Sequence, residues 1–242
     1  MTWRRALLLA VLALPLAATA QPALVLNDTN APPYTNEAHT GFIDVVADEA
    51  FRRAGLRFEL VRLPAERALR LADSGSIDGE IVRVGGLEAI YPNLLRVPEP
   101  ISEVVFSVFA RNREVTADFQ ALKSRPVGLI RGWKILEQAM AGGASVVTAN
   151  DADQLFRLLS LGRIEAALYE GNMGVALAMS LDLGEIRRLQ PDLARRDVFT
   201  YLHQRHAAAV PKLAEALRAI KRDGFYARTQ RRILQAYSGT GR

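Results

Sequence analysis

Two charged side chains in this sequence stand where they could hold a small molecule. Arg83 ends a predicted strand that begins at Ile77, and Asp28 follows the first predicted strand of the chain. A guanidinium is suited to bidentate capture of a carboxylate or phosphate, and a carboxylate accepts hydrogen bonds from a cation or a polar tail. Each residue also has a structural alternative. Arg83 could pair with Glu80 or Glu88, and Asp28 could cap its own loop in an Asx-turn.

A loop and a helix start add two further binding features. Tyr34 follows two prolines, so its ring is presented on a stiff segment, where it could contact a ligand or cover the edge of a sheet. Arg131, Gly132 and Trp133 stand where a predicted strand ends and a helix begins. Backbone amides and the helix dipole favour an anion there. Trp133 could stack on a planar or apolar group of a ligand, or cover the helix start.

Signatures of catalysis are missing from the sequence. It contains no Gly-Xaa-Ser-Xaa-Gly, His-Glu-Xaa-Xaa-His or P-loop pattern. The three histidines, His39, His203 and His206, have no partners at the spacing of a catalytic pair or a metal site. The chain also has no cysteine, which excludes disulfide bonds and a lipoprotein anchor. We therefore expect non-covalent binding, with no metal and no cofactor.

The N-terminal residues indicate secretion. A basic pair at Arg4 and Arg5, an apolar run over residues 6–17 and the small residues of 18–20 are typical of a signal peptide. The run is too short to span a bilayer, which needs ~20 residues. We expect cleavage after Ala20 and export to the periplasm.

The charge of the chain argues against nucleic-acid binding. The sequence has 31 basic residues against 26 acidic ones, a small excess. Many basic residues stand in pairs, such as 187–188 and 195–196, with no aromatic residues between them, so we interpret them as solvated helix faces.

The apolar pattern predicts alternating strands and helices. The first half has strands at 23–27, 56–63 and 77–84, with helices at 41–54 and 65–73. The order then begins again, with strands at 104–110, 126–130, 145–148 and 164–169, a helix starting near 133 and another at 151–161. The chain closes with a strand at 198–202 and helices from 211 and over 225–237. This pattern predicts an α/β fold of two units, with no flexible linker between them.

Seven short strings, each weak alone, occur together in a recognisable order. They are PPY at 32–34, GFIDV at 41–45, SGSIDG at 74–79, PEP at 98–100, VGLIRG at 127–132, GRIEAA at 162–167 and KRDG at 221–224. In this order and spacing they resemble the type II periplasmic solute-binding proteins of polar amino acid uptake, the bacterial extracellular solute-binding protein family 3. Proteins of this family feed ABC importers. The resemblance covers nearly the whole mature chain.

The resemblance implies two lobes, each with an open mixed sheet flanked by helices, and a ligand cleft between them. Lobe 1 would comprise residues 21–107 and 199–242, and lobe 2 would comprise residues 108–198. The ligand would lie near the carboxyl ends of the strands, and the lobes would close over it by a hinge. The expected protein is a monomer that delivers a small polar, carboxylate-bearing and amino-acid-like solute to an ABC permease.

The resemblance also assigns roles to single residues. An aromatic ring at the position of Tyr34 packs over the ligand in the family. Glu170 stands where the family has an aspartate that binds the ligand's amino group, and such a charged hydrogen bond is about twice as strong as a neutral one. The segment from Arg131 lies where the family offers backbone amides to a carboxylate. Here Trp133 and Lys134 replace small hydroxyl residues, which changes the pocket.

The sequence departs from the family at the arginine that usually holds the carboxylate. The corresponding segment, GLEAIY at 86–91, contains no arginine. Arg83 is our candidate for its replacement, and Arg67, at the start of the second predicted helix, is a weaker one. The identity of the ligand therefore stays open.

Two other functions stay open as well. The cyclohexadienyl dehydratases share this fold and carry out chemistry in the cleft, where Glu170 would act as a general acid. A ligand sensor without a transporter is the other alternative, and its output would have to come from another protein.

Overall fold

A computed structural model describes residues 22–29 and 31–238, so the predicted signal peptide at 1–20 lies outside the described residues. The strands are β1 Leu24–Asn27, β2 Phe58–Val61, β3 Gly79–Val84, β4 Leu94–Arg96, β5 Ser102–Ala110, β6 Pro126–Ile130, β7 Ser145–Ala149, β8 Ala166–Glu170, β9 Arg187–Arg188 and β10 Ala194–His203. The helices are α1 Phe42–Arg53, α2 Ala65–Asp73, α3 Phe119–Leu122, α4 Lys134–Ala139, α5 Ala152–Ser160, α6 Gly171–Ser180, α7 Val210–Arg222 and α8 Phe225–Leu234.

The strands form one curled, mixed sheet. Their order is β2-β1-β3-β10-β5-β8-β6-β7, with β4 also paired to β10 and β9 to β5. β1 pairs in parallel with β2 and β3, and β6 pairs in parallel with β7 and β8. The α/β fold is therefore confirmed, and the two predicted sheets are hydrogen-bonded to each other through two long antiparallel strands.

These two strands, β5 and β10, belong to both halves of the molecule. Residues 102–106 of β5 pair with 194–198 of β10, whereas residues 106–110 of β5 pair with β8. The last part of β10 pairs with β3 and β4. The predicted lobe boundaries, at 107–108 and 198–199, fall inside these strands and stay a prediction.

The apolar side chains of each half are buried between the sheet and its helices. In the first half, α1 packs against α7 and α8, with Phe42, Val46 and Phe51 almost fully buried. In the second half, Val127 and Leu168 lie in a separate cluster. Burying such a side chain contributes about 1.5–3 kcal/mol.

Helix α6 was not predicted from the sequence. Its residues, GNMGVALAMS, are apolar around the whole helix and include two glycines, so they lack the repeating polar face that marks an amphipathic helix. The strands β4 and β9 were missed as well, because two or three residues are too few to show an alternating pattern. The final helix, α8, ends at Leu234, and a single 3-10 turn covers the remaining predicted helical residues.

We expect Gly79→Ala to destabilise the protein strongly, because β3 and β10 approach each other closely at this residue. A Cβ at Gly79 would stand 2.0 Å from the backbone oxygen of Tyr201, so the two strands would have to separate. Overpacking of this kind typically costs about 1–3 kcal/mol. Urea unfolding measures the effect. Gly184→Ala is the matched control, because a Cβ there meets nothing within 4 Å. Equal stability of the two variants would contradict the close approach.

Candidate functional site

Tyr34 and Glu170, which are far apart in sequence, meet in the fold. Tyr34 lies in the loop between β1 and α1, whereas Glu170 ends β8 and caps α6. The Tyr34 hydroxyl donates to Glu170 Oε1 over 3.0 Å and accepts from Asn172 Nδ2 over 2.9 Å. Glu170 Oε2 accepts from the backbone amide of Met173 over 2.7 Å. Both side chains are buried. This contact joins the half that contains β1 to the half that contains β8.

The start of α1 holds the Tyr34 loop in place. The amide of Ile43 donates to the Tyr34 carbonyl over 2.8 Å. Asp44 Oδ2 accepts from the amides of Gly41 and Asn36, over 2.9 and 3.1 Å. Position 41 has to be glycine, because a Cβ there would stand 2.3 Å from the Tyr34 carbonyl oxygen. These contacts fix the direction in which the tyrosine ring points.

Burial dominates the electrostatics of this contact. It raises the pKa of Glu170 to about 7, although the Met173 amide, the Tyr34 hydroxyl and the charge of Arg188 oppose the change. Burial also raises the pKa of Tyr34 well above its ordinary value, and the nearby Glu170 raises it further. Near neutral pH, Glu170 is therefore close to its titration midpoint, while Tyr34 stays a hydroxyl donor.

A buried arginine extends the network into the second half of the molecule. Arg188 donates to Asn172 Oδ1 over 3.3 Å and to Asp192 Oδ1 over 2.7 Å. Asp192 also accepts from Ser107 Oγ over 2.8 Å. The interpretation of the 187–188 pair as a solvated helix face is wrong for Arg188, because it lies in β9 with only 6% of its side chain exposed. The strand is too short for the sequence to reveal it.

A second polar cluster lies where the end of β1 pairs with β3. Arg83 Nε donates to Glu80 Oε2 over 2.9 Å, and Nη2 of the same guanidinium forms an ion pair with that oxygen at 2.9 Å. Asn27 Nδ2 donates to the same oxygen over 3.0 Å. The outer donors of Arg83 make only long contacts of 3.4 Å, from Nη1 to Thr29 Oγ1 and from Nη2 to the Ala65 carbonyl. The guanidinium is thus held firmly on its inner edge and weakly on its outer edge.

The partner of Arg83 is Glu80, one of the two carboxylates considered from the sequence. The other one, Glu88, pairs with Arg96 over 3.1 Å. Burial raises the pKa of Glu80, while Arg83 and Asn27 oppose this effect and the charge of Asp28 adds to it. Asp28 is itself buried directly after β1.

No model of a known protein family matches the chain. An uncharacterized protein from Shewanella oneidensis is 24% identical over 204 residues, which cover 78% of this chain and 75% of that protein. Among solved structures, the ligand-binding core of GluR0 in complex with L-glutamate superposes with a TM-score of 0.78. It is 15% identical, and the match covers 88% of this chain and 98% of the other.

Two further structures are similar. A histidine kinase sensor domain has a TM-score of 0.74, with 20% identity over 88% of this chain and 96% of the other. A periplasmic binding protein of the His/Glu/Gln/Arg/opine family from Silicibacter pomeroyi, in complex with lysine, has a TM-score of 0.69, with 19% identity over 88% and 97%. The chain has the fold of a type II periplasmic solute-binding protein. These neighbours are binding proteins and binding domains rather than enzymes.

Three other predicted site residues of this solute-binding fold are less enclosed. Arg67 is exposed in the first turn of α2. Arg131 is exposed and donates to Asn150 Oδ1 over 3.3 Å. Trp133 is stacked on Tyr169, with ring centroids 4.9 Å apart and planes 11° apart. The indole thus packs on a protein ring at the start of α4.

The amide at this helix start also has a partner within the protein. The backbone N–H of Gly132 donates to Glu137 Oε1 over 2.7 Å. An anion would have to displace this carboxylate to reach the amide. The backbone site that the resemblance implied therefore stays a prediction.

Within residues 22–29 and 31–238, no group of three or more histidine, cysteine, aspartate or glutamate side chains is arranged to hold a metal ion. The helices of this part of the chain are also too short or too polar to cross a membrane.

We expect the stability of the wild type to fall as the pH rises from about 4.5 to about 7, because of Glu170. The folded state retains the proton of this carboxyl up to a pKa of about 7, while the unfolded chain loses it near the ordinary value of 4.5. Ionisation therefore lowers the free energy of unfolding across this range, by up to about 3 kcal/mol. Above about pH 7 the contribution of Glu170 no longer changes with pH.

Glu170→Gln should remove this fall, because the amide oxygen still accepts a hydrogen bond and cannot ionise. Urea unfolding at a series of pH values compares the two proteins. Glu114→Gln, at an exposed position, is the control and should keep the wild-type profile. If the stability of the wild type and that of Glu170→Gln decrease equally with pH, the pKa of the Glu170 carboxyl is not raised in the folded protein.

Proposed function

We propose that this protein captures a small polar solute that carries a carboxylate, closes its lobes over it by a hinge and delivers it to an ABC importer. The observation that carries the proposal is the position of Arg83. Its outer edge lies beside Thr29, two residues after β1, and Ala65, the first residue of α2 after β2, and is only weakly hydrogen-bonded. This is the side of an open α/β sheet on which ligands bind. A carboxylate fits the geometry of that donor edge.

The strands β5 and β10 are the proposed hinge. They join residues 21–107 and 199–242, proposed as lobe 1, to residues 108–198, proposed as lobe 2. The hydrogen bond from Tyr34 to Glu170 links the two lobes, so it has to form when they close. Asp28, Tyr34 and Arg83 then contribute from lobe 1, with Arg67 as a weaker member. Glu170 and the segment from Arg131 to Trp133 contribute from lobe 2.

Export to the periplasm accompanies this function. The proposal is supported by the pattern of residues 1–20 and by similarity to a periplasmic binding protein from Silicibacter pomeroyi. The protein would act there as a monomer after cleavage at Ala20.

A sensor that works without a transporter is the second candidate. The similarity to a histidine kinase sensor domain favours it, because a domain of similar fold is the sensor domain of that kinase. The two candidates share the ligand site and differ only in the membrane partner. Catalysis by Glu170 is less well supported, because both of its oxygens are already bonded, to Tyr34 and to Met173.

We expect at least one small carboxylate to raise the melting temperature of the protein comprising residues 21–242. A ligand that binds only the folded state stabilises it by about 2.7 kcal/mol at a hundred times its Kd. A thermal-shift screen against amino acids, other carboxylates, polyamines and sugars measures the effect. A shift with sugars alone, or with polyamines alone, would contradict the carboxylate assignment.

Arg83→Ala should weaken binding of the carboxylate found in that screen by about thirtyfold or more, because removal of a buried charged partner costs about 2–5 kcal/mol. Isothermal titration measures the Kd. Arg70→Ala is the control, since Arg70 is an exposed residue of α2 whose ion pair with Glu66 is long at 3.8 Å. If Arg83→Ala binds within a few-fold of the wild type, Arg83 does not hold the ligand.

A further inference from the structure

Glu80 uses only one of its two carboxylate oxygens. Oε2 accepts one hydrogen bond from Arg83 Nε and one from Asn27, and it also forms an ion pair with Arg83 Nη2. Among the described residues, Oε1 is buried and has no hydrogen-bond partner. The side chain is only 1% exposed. A buried acceptor left in this state destabilises the fold, and a bound donor group would remove that cost.

Other buried oxygens lack a partner within the described residues, including Thr35 Oγ1 and Asp44 Oδ1. In the part of the chain that the structure describes, only Glu80 combines this state with a direct bond to an arginine whose outer edge is weakly hydrogen-bonded. It therefore places an anionic acceptor and a cationic donor next to each other on β3, beside the end of β1.

In contrast to Glu80, Glu170 accepts hydrogen bonds at both of its carboxylate oxygens. Its Oε1 accepts from the Tyr34 hydroxyl, and its Oε2 accepts from the Met173 amide. A ligand amino group could bond to it only by competing with these donors. The carboxylate expected to hold an amino group is thus engaged within the protein, while the one beside Arg83 retains an unused oxygen.

We propose that Glu80, rather than Glu170, accepts the ligand's ammonium group, while Arg83 holds its carboxylate. This inference rests on the proposed function. The ligand is then a zwitterion whose opposite charges are close together, because Glu80 and Arg83 are in contact. The carboxylate of the ligand faces the guanidinium, and its ammonium faces Glu80.

Both charged groups of the ligand would then be held by lobe 1. Asp28 is close enough for its charge to act on Glu80, and it adds to the attraction for an ammonium. Glu80 is fully buried in this structure, so the ligand reaches it only when the protein opens. Lobe 2 closes afterwards. The hydrogen bond that Glu170 accepts from Tyr34 then stabilises the closed state and does not contact the ligand's ammonium.

Glu80→Gln tests this assignment. The glutamine oxygen can still accept from Arg83 and Asn27, which places its NH2 group where Oε1 was, facing the ligand's ammonium. The probes are L-alanine, L-glutamate and L-lysine, each titrated against the same molecule without its α-amino group. We expect the preference for the amino form to fall by about tenfold or more, with the binding of the des-amino form unchanged or stronger. Glu170→Gln decides between the two carboxylates, because it keeps the preference if Glu80 holds the ammonium. Glu114→Gln, at an exposed position, is the matched control and should keep the preference.

Three results would overturn the inference. An equal loss for both members of a pair would make Glu80 a structural residue only. A loss of the amino preference in Glu170→Gln would show that Glu170, in lobe 2, accepts the ligand's ammonium. If the wild type binds none of the probes in either form, the amino-acid-like ligand of the proposed function fails first, and this inference fails with it.

Glu80→Asp covers the case in which Glu80→Gln does not fold. It keeps the charge but withdraws the carboxylate by one methylene, so the amino preference should be reduced. An unchanged preference in this variant would contradict direct contact between Glu80 and the ammonium.

Discussion

The pairing of β5 with β10 is the interaction on which the rest of the structure depends. Each strand pairs with the other over half its length and then continues into a different half of the sheet. The two α/β units are therefore connected by hydrogen-bonded strands instead of a free tether. Because Phe106 of β5 pairs with Glu170 of β8, this crossing also brings Glu170 towards the loop of Tyr34.

Both candidate carboxylates are buried, and the protein compensates for their burial in different ways. Glu170 is bonded at both oxygens by neutral donors, a hydroxyl and an amide, and its pKa rises to about 7. Glu80 is paired with a guanidinium, which favours its charged form and opposes the effect of burial. A carboxylate bonded to neutral groups is suited to holding two parts of a protein together. One that shares an arginine and retains an unused oxygen is better suited to a charged ligand.

The main elements could be predicted because their patterns are local. Helix α2 and strand β6 have the predicted bounds, and most of the others differ by a few residues at their ends. Helix α6 could not be predicted, since it is buried or apolar on every side. The burial of Arg188 could not be predicted for a related reason. Its strand has only two residues, too few to show a pattern, and its burial depends on contacts with residues far away in the sequence.

The sequence by itself determined most of the strands and helices and their order, the resemblance to solute-binding proteins and the residue types available to a site. Only the tertiary structure decided which of those residues are bonded to each other. In the folded protein, Tyr34 is hydrogen-bonded to Glu170, Arg83 pairs with Glu80 and not with Glu88, and Trp133 stacks on Tyr169. The reason is physical: strand and helix patterns depend on neighbouring residues, whereas hydrogen bonds between side chains and the pKa changes caused by burial depend on groups that folding brings together.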